Sequence, residues 1–492
     1  MRNLALMLGG RLATQCVLIV SAFVIPRLLA PESYGHFAAL MAVVAIVHPL
    51  SVCGLPLVEM RYLAPAWQEG RLVHATSLAS SVWTARLGLS VVAAVVAALW
   101  LAVSPTLATG ASSCVYLGLL ALFYCASEAT RSLFLSVGRP AHMSGFELVR
   151  ALLALPVIVV AFRIWGVDGA IVSLGIMYAL LFVASCGLLY RAIPVRPRLF
   201  KWSILRRHVS YSLTSFTGGL AGMIQVQFAV YALATWVTST DAAFLGISVR
   251  VFAVVTALFV TGQEALMPVL AELESRKQMS RLRYWGGVML RYGAALSCLL
   301  AVAWALLGKE IVRQLLTDAY APVYACVAFI LVAAVCSSCA TSCNALLYVR
   351  GFSMAASGNM IVYAAVTVAC IGIVVREGAS DTALRISLVY TAASALFLIM
   401  AYLTLGRIGG TWLPLGACTL LVLPSTLVWP ITHWEAPLSA RICTLVVFVL
   451  LYVGVAVRLR LLPLGEIQQI LQVLRHVRPH DRSAKVARQA MG

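Results

Sequence analysis

Charge is scarce in this chain. Only 11% of its 492 residues are Asp, Glu, Lys or Arg, and 62% are apolar, a balance that leaves too little polar surface to keep a fold of this size in water. Acids are scarcer still, 17 against 36 bases, for a formal charge of +19. The sequence also lacks a GxxxxGK[ST] phosphate loop, a GxGxxG following a strand, an HExxH pair and any alternating strand pattern. Those absences exclude nucleotide hydrolysis by any familiar route. No long polar stretch interrupts the apolar runs, so no soluble domain is expected, and nucleic acid is excluded as a partner despite the charge.

What the chain has instead is a succession of apolar runs, each long enough to cross a hydrocarbon core as a helix. About fourteen are predicted, near 9–29, 37–58, 79–103, 114–136, 146–165, 169–190, 209–236, 242–266, 286–307, 323–346, 357–375, 383–405, 412–431 and 441–460. The first has no small-x-small cleavage site before Pro31 and reads as a retained helix. The fold class is therefore all-α, a polytopic membrane protein. The basic residues set an expected orientation: with the N-terminus cytoplasmic, roughly 24 of the 36 Lys and Arg fall on cytoplasmic segments. Arg191, Arg196, Arg198, Lys201, Arg206 and Arg207 crowd one loop, which the positive-inside rule places in the cytoplasm with both termini.

The tail after Arg458 carries Ile467, Ile470, Leu471, Leu474 and Val477 on one helical face, with Arg475, Arg478, Arg482, Lys485 and Arg488 at or beyond its end. It reads either as an amphipathic helix on an anionic leaflet or as a solvated basic tail. The 13 cysteines fall almost wholly inside spans, where they act as small apolar residues. Cys336, Cys339 and Cys343 share a face, but neighbouring Ser337, Ser338, Ala340 and Ser342 mark a close-packing surface and no metal site is expected.

An internal repeat is visible. MRYLA at 60–64 resembles MPVLA at 267–271, LFLSVGRPAHMSG at 133–145 resembles ALLYVRGFSMAASG at 345–358, and WGVDGA at 165–170 resembles EGASDTA at 377–383, each weakly. The order is preserved at offsets of about 207 to 212 residues, so six spans repeat once in the same orientation, with a pseudo-two-fold axis along the membrane normal. The expected organisation is a six-helix bundle over 1–190, a basic cytoplasmic linker over 191–208, a second six-helix bundle over 209–405, two appended helices over 406–460 and the tail 461–492.

APESYG at 30–35, CGLPLVEMRYLA at 53–64, SVGRP at 136–140, WGVDGA at 165–170, TDAAFLGISVR at 240–250 with LMPVLAE at 266–272, and LLTDAYAPVY at 315–324 together resemble the polysaccharide repeat-unit flippases of the Wzx type. These belong to the multidrug/oligosaccharidyl-lipid/polysaccharide flippase superfamily, with the lipid II flippase and the MATE exporters. Phe244 departs from the small glycine usual in that family at this turn. The resemblance covers nearly the whole chain. It implies movement of a polyprenyl-diphosphate-linked oligosaccharide from the cytoplasmic to the outer leaflet of the inner membrane, for O-antigen or exopolysaccharide synthesis. It also implies a polysaccharide polymerase and a chain-length regulator as partners, and no cofactor; with no nucleotide site, the energy is expected from a proton or sodium gradient or from downstream consumption.

Charges kept inside spans are costly and usually serve a cavity or a partner. Arg11, Arg86, Arg131, Arg250 and Arg291 lie in spans one, three, four, eight and nine, against Glu128 and Glu264 as the clear intraspan acids. That excess of guanidinium suits a diphosphate, since it stays ionised in low dielectric and forks onto phosphate oxygens. Arg86, with no acid nearby in sequence, and Arg250 are the principal candidates. Arg11 and Arg291 lie where snorkelling to the interface competes with cavity lining. Arg131, three residues from Glu128, is expected to pair with it. Glu264 and His48, the latter before Pro49, are candidates for coupling or gating, as is Glu128. Gln15, Gln225, Gln227 and Asn344 either bind sugar hydroxyls or tie helices together. Two other functions stand beside the flippase: a cation-coupled small-molecule exporter, and a membrane-embedded glycan polymerase or ligase. The outer loop near 308–322 offers only Lys309, Glu310, Arg313 and Asp318 for such chemistry.

Overall fold

The computed structural model describes residues 2–107, 110–192, 195, 199–378, 381–410, 413, 423–432 and 436–458. Within them the side chains of 2–8, 11, 60, 68, 140, 258, 261–262, 264–265, 267–269, 271–272 and 429 are not described. Half of the span expected at 412–431 lies outside these residues, and the basic tail wholly so.

The described chain is helical, with no strand. In order the helices are α1 (Arg2–Arg27), α2 (Pro31–Val52), α3 (Leu55–Val58), a π turn (Glu59–Leu63) continuing into α4 (Ala64–Gln68), α5 (Leu72–Ala102), α6 (Ala111–Ser136) and α7 (Pro140–Ala192). They continue with α8 (Trp202–Arg206), α9 (Val209–Trp236), α10 (Ser239–Ser275), α11 (Met279–Leu315), α12 (Val323–Val349), α13 (Ser353–Glu377), α14 (Thr382–Arg407), α15 (Val428–Thr432) and α16 (Leu438–Arg458). Eleven described helices are long and apolar enough to cross a membrane, and Leu12–Arg27 of α1 adds a shorter apolar run. α7 holds two spans, because Gly166 at φ 67°, ψ −152° breaks it within the WGVDGA turn. A residue with a Cβ rarely adopts that φ.

Two compact units emerge. One comprises Met1–Leu18 and Leu40–Met223; the other comprises Ile19–Ala39 and the described residues from Ile224 onward. Hence α1, α2 and α9 each pass from one unit to the other partway along their length.

In the first unit, Val58, Leu63, Ala75, Leu78, Ala79, Val82, Leu133 and Phe134 form a core joined by Val195 and Leu205 from the 191–208 segment. The amide of Lys201 donates to Ser81 Oγ at 3.0 Å. The basic segment is thus packed onto α5 along part of its length. In the second unit α12 is buried along most of its length. Its run of Cys336, Ser337, Ser338, Cys339, Ala340, Ser342 and Cys343 is buried, small side chains that let neighbouring backbones approach closely. Phe244, the departure at the α10 turn, packs edge-on against Tyr320 with ring centroids 6.2 Å apart. Elsewhere apolar side chains face outward, as with Val91, Val95 and Leu99 on α5 and Val446, Leu450 and Leu451 on α16, the arrangement lipid requires.

Two glycines explain two of the sequence motifs. A Cβ on Gly35 would lie 1.6 Å from the Ser239 carbonyl oxygen, so APESYG brings α2 against the start of α10 where only glycine fits. Gly54, at φ +67°, closes the CGLP corner, where an added Cβ would lie 2.0 Å from the Ser212 carbonyl oxygen. Ser212 Oγ in turn donates to the Cys53 carbonyl.

Candidate functional site

The expectation that Arg86 has no local acid is overturned. Its guanidinium, 2% exposed, pairs with Glu59, 0% exposed, at 3.4 Å. It also donates to Ser132 Oγ and, at 3.4 Å, to the Ala129 carbonyl. Glu59 follows directly on the span expected at 37–58. The π turn it opens, Glu59–Leu63, carries it inward, and such bulges frequently mark functional positions.

Arg131 pairs with Glu128 at 2.5 Å, as its spacing predicted, and also with Glu147. Arg150 reaches the other oxygen of Glu128 at 2.5 Å. These four side chains, with Ser127, Phe146, Leu181 and Ser185, line a cavity of about 20 Å³, room for one water. Three guanidiniums (Arg86, Arg131, Arg150) therefore meet three carboxylates (Glu59, Glu128, Glu147) in this unit. Among the described side chains of this unit Glu59 and Glu147 thus stand with Glu128 as acids, while the side chain of Arg11 lies outside them. His48, half-buried, stacks at an angle on Tyr124 (5.2 Å), which meets Tyr178 edge-on (5.1 Å). The buried Nε2 of His48 has no hydrogen-bond partner.

Arg250 differs. It lies half-buried on α10 in the second unit, its guanidinium 5.5 Å from the Tyr34 ring centre and 5.8 Å from that of Phe37. No described carboxylate lies within ion-pair distance of it. Tyr34 is 0% exposed and its hydroxyl lacks a hydrogen-bond partner. Cation–π stacking of this kind orients a guanidinium while leaving its N–H edge free to donate. Arg291 is half-buried on α11 and is engaged by neighbouring groups. The side chains of Arg11 and Glu264 lie outside the described ones.

The polar residues left between two readings resolve in part. Gln225 Nε2 donates to the Tyr363 hydroxyl at 3.0 Å, Tyr363 shares a 2.6 Å hydrogen bond with Ser394, and Tyr390 donates to the Gln225 carbonyl at 2.7 Å. Asn344 Oδ1 accepts from Asn359 at 3.0 Å, and Thr404 donates to Asn359 at 3.1 Å. Gln225 and Asn344 are thus helix ties among α9, α12, α13 and α14. Sequence gave no sign of Arg61, which is exposed on the π turn with its guanidinium 4.9 Å from the Tyr211 ring centre. Nearby His208 is held below the ordinary histidine range, first by desolvation and then by Arg207 and His74.

Several solved structures share the fold. An inward-facing multidrug-resistance MATE transporter of the MOP superfamily aligns with TM-score 0.60 and 14% identity over 82% of this chain and 99% of that one. The lipid II flippase MurJ, in an inward closed conformation, aligns with TM-score 0.60 and 12% identity over 91% and 97%. A MOP superfamily transporter from Pyrococcus furiosus, described as having a binding pocket of reverse polarity that suggests a different function, aligns with TM-score 0.59 and 12% identity over 83% and 99%. No curated protein sequence matches the chain. The sequence profile of the polysaccharide biosynthesis proteins matches residues 24–325, more than half of the chain. On that match, carried by a MATE- and MurJ-like all-helical fold, the chain is a member of the polysaccharide biosynthesis protein family.

Proposed function

We propose that this protein is a flippase that carries a polyprenyl-diphosphate-linked oligosaccharide from the cytoplasmic to the outer leaflet of the inner membrane, for extracellular or surface polysaccharide. Family membership supplies the pathway class. The observation that carries the cargo is Arg250: a guanidinium within α10, stacked on two rings and without a described carboxylate partner. An intramembrane cation left in that state favours an anionic ligand. Arg291, and Arg11 by its position in sequence, are secondary candidates, whereas Arg86 and Arg131 serve the unit's internal charge balance. Alternating access is supported by the inward-facing and outward-facing conformations solved for MATE transporters of this fold. With no nucleotide site, the step draws on an ion gradient or on consumption of product by a polymerase and chain-length regulator. His48 and Glu128, with Glu264, are the candidate coupling groups, a proton being favoured by the lone buried nitrogen of His48. Both termini lie in the cytoplasm by the distribution of Lys and Arg.

The exporter reading has the MATE fold in its favour. The Pyrococcus furiosus transporter, whose pocket polarity suggests a different function within this fold, supports assigning cargo by pocket charge and not by fold. The test is Arg250→Ala and Arg250→Lys in cells dependent on this protein for surface polysaccharide, with membrane levels of protein matched. Alanine is expected to lower export at least about tenfold, roughly the worth of one charge-assisted bond, and lysine to restore part of it. Normal export by Arg250→Ala, or a change confined to drug resistance, overturns the flippase reading.

A further inference from the structure

The π turn and the basic segment before α9 meet at one corner of the first unit, at the end where α7 finishes and α5 and α9 begin. Arg61 is exposed there, its guanidinium 4.9 Å from the Tyr211 ring centre and 5.7 Å from that of Tyr62. Tyr62 in turn stacks on His208 at 4.1 Å. α8 is fixed at this corner by Leu205, 4% exposed in the core, and by the Lys201 amide on Ser81. That anchoring leaves Arg206 and Arg207 outward. Among the described residues none of Arg61, Arg206 and Arg207 has an ion-pair partner: Glu59 is committed to Arg86 and Glu69 to Arg71. Beside these cations Phe200 and Trp202 are exposed, as are Val209 and Leu213 at the start of α9.

Cations without counter-ions, flanked by exposed aromatic and aliphatic side chains at a helix-bundle end, are what a membrane surface selects. A free phosphate has no use for Trp202 or Leu213, and a zwitterionic head would leave the positive charge unbalanced. A guanidinium 4.9 Å from the Tyr211 ring centre keeps N–H donors that can fork onto two phosphate oxygens. We propose that this corner is a binding site for the phosphate of an anionic phospholipid in the adjacent leaflet, gripped by Arg61, Arg206 and Arg207 with its chains along Leu213. Its residues do not include Arg250, and its test does not depend on the cargo.

The test uses the full-length protein in detergent, with phosphatidylglycerol and phosphatidylcholine titrated and bound lipid counted by native mass spectrometry. Wild type is expected to bind phosphatidylglycerol at least about tenfold more tightly. The Arg61→Ala/Arg206→Ala/Arg207→Ala variant is expected to lose about a hundredfold in that affinity, from charge worth roughly fivefold per arginine. Arg313→Ala/Arg376→Ala, exposed arginines elsewhere, is expected to retain it. Should the triple variant fail to fold, Arg61→Ala alone is expected to lose about fivefold and Arg61→Lys to recover part. Equal binding of the two lipids by wild type, or undiminished phosphatidylglycerol binding by these variants, overturns the proposal. Displacement of phosphatidylglycerol by undecaprenyl diphosphate at stoichiometric concentration also overturns it, assigning the corner to cargo.

Discussion

Arg86 and Glu59 provide the sharpest test of whether an intramembrane arginine serves cargo or structure. The pair is almost wholly buried, 2% and 0% exposed, and the carboxylate's Oε2 and the guanidinium's Nε have no other partner. Removing one member strands the other charge at a cost of about 3–5 kcal/mol, whereas replacing both by apolar groups of similar size is often near neutral. Arg86→Met and Glu59→Leu should therefore each destabilise strongly, and the double variant should recover most of the loss. For a unit of this size, where 1 kcal/mol shifts melting by about 2–4 °C, each single variant should melt roughly 6–20 °C lower in detergent. Polysaccharide export then separates the two roles. A double variant that is stable and exports normally identifies the pair as structural, as argued above. One that is stable but inactive returns Arg86 to the cargo site, and absence of thermal recovery refutes the ion-pair argument itself.

Gly35→Ala sets a Cβ 1.6 Å from a backbone oxygen that no rotamer change relieves. It is expected to cost about 3 kcal/mol or more, while Gly9→Ala, with nothing within 4 Å of its added Cβ, is expected to leave the melting temperature unchanged or raised. In the charge box, Glu128→Gln is expected to destabilise more than Glu147→Gln by roughly 1–2 kcal/mol in detergent melts, since it takes the carboxylate from Arg150 and Arg131 together. The reverse order would mean that Glu147, not Glu128, organises the cluster.

The helical fold was legible because lipid demands it: each span must satisfy its own backbone and show apolar side chains outward, so hydropathy alone marks it. The turn at Gly166 and the Arg131–Glu128 pair were legible for a local reason, both being set by residues within a few positions. Charge pairing across helices was not. Nothing in the spacing of Glu59 and Arg86, 27 residues apart, announces contact, and the π turn that brings them together has no hydropathy signature. The same holds for Gln225, whose partner Tyr363 lies 138 residues on. Arg61 was missed because a loop-side arginine in a basic chain looks ordinary until its aromatic neighbours are placed.

The allotment of Ile19–Ala39 to the second unit has a genetic corollary. Cutting the polypeptide in the 191–208 segment would leave the N-terminal fragment holding a piece that its counterpart needs, while the C-terminal fragment would carry the first stretch of α9 away from its home. Fragments separated there are each expected to lack part of a compact unit, so their recovery on co-production, against its absence on separate production, checks that allotment.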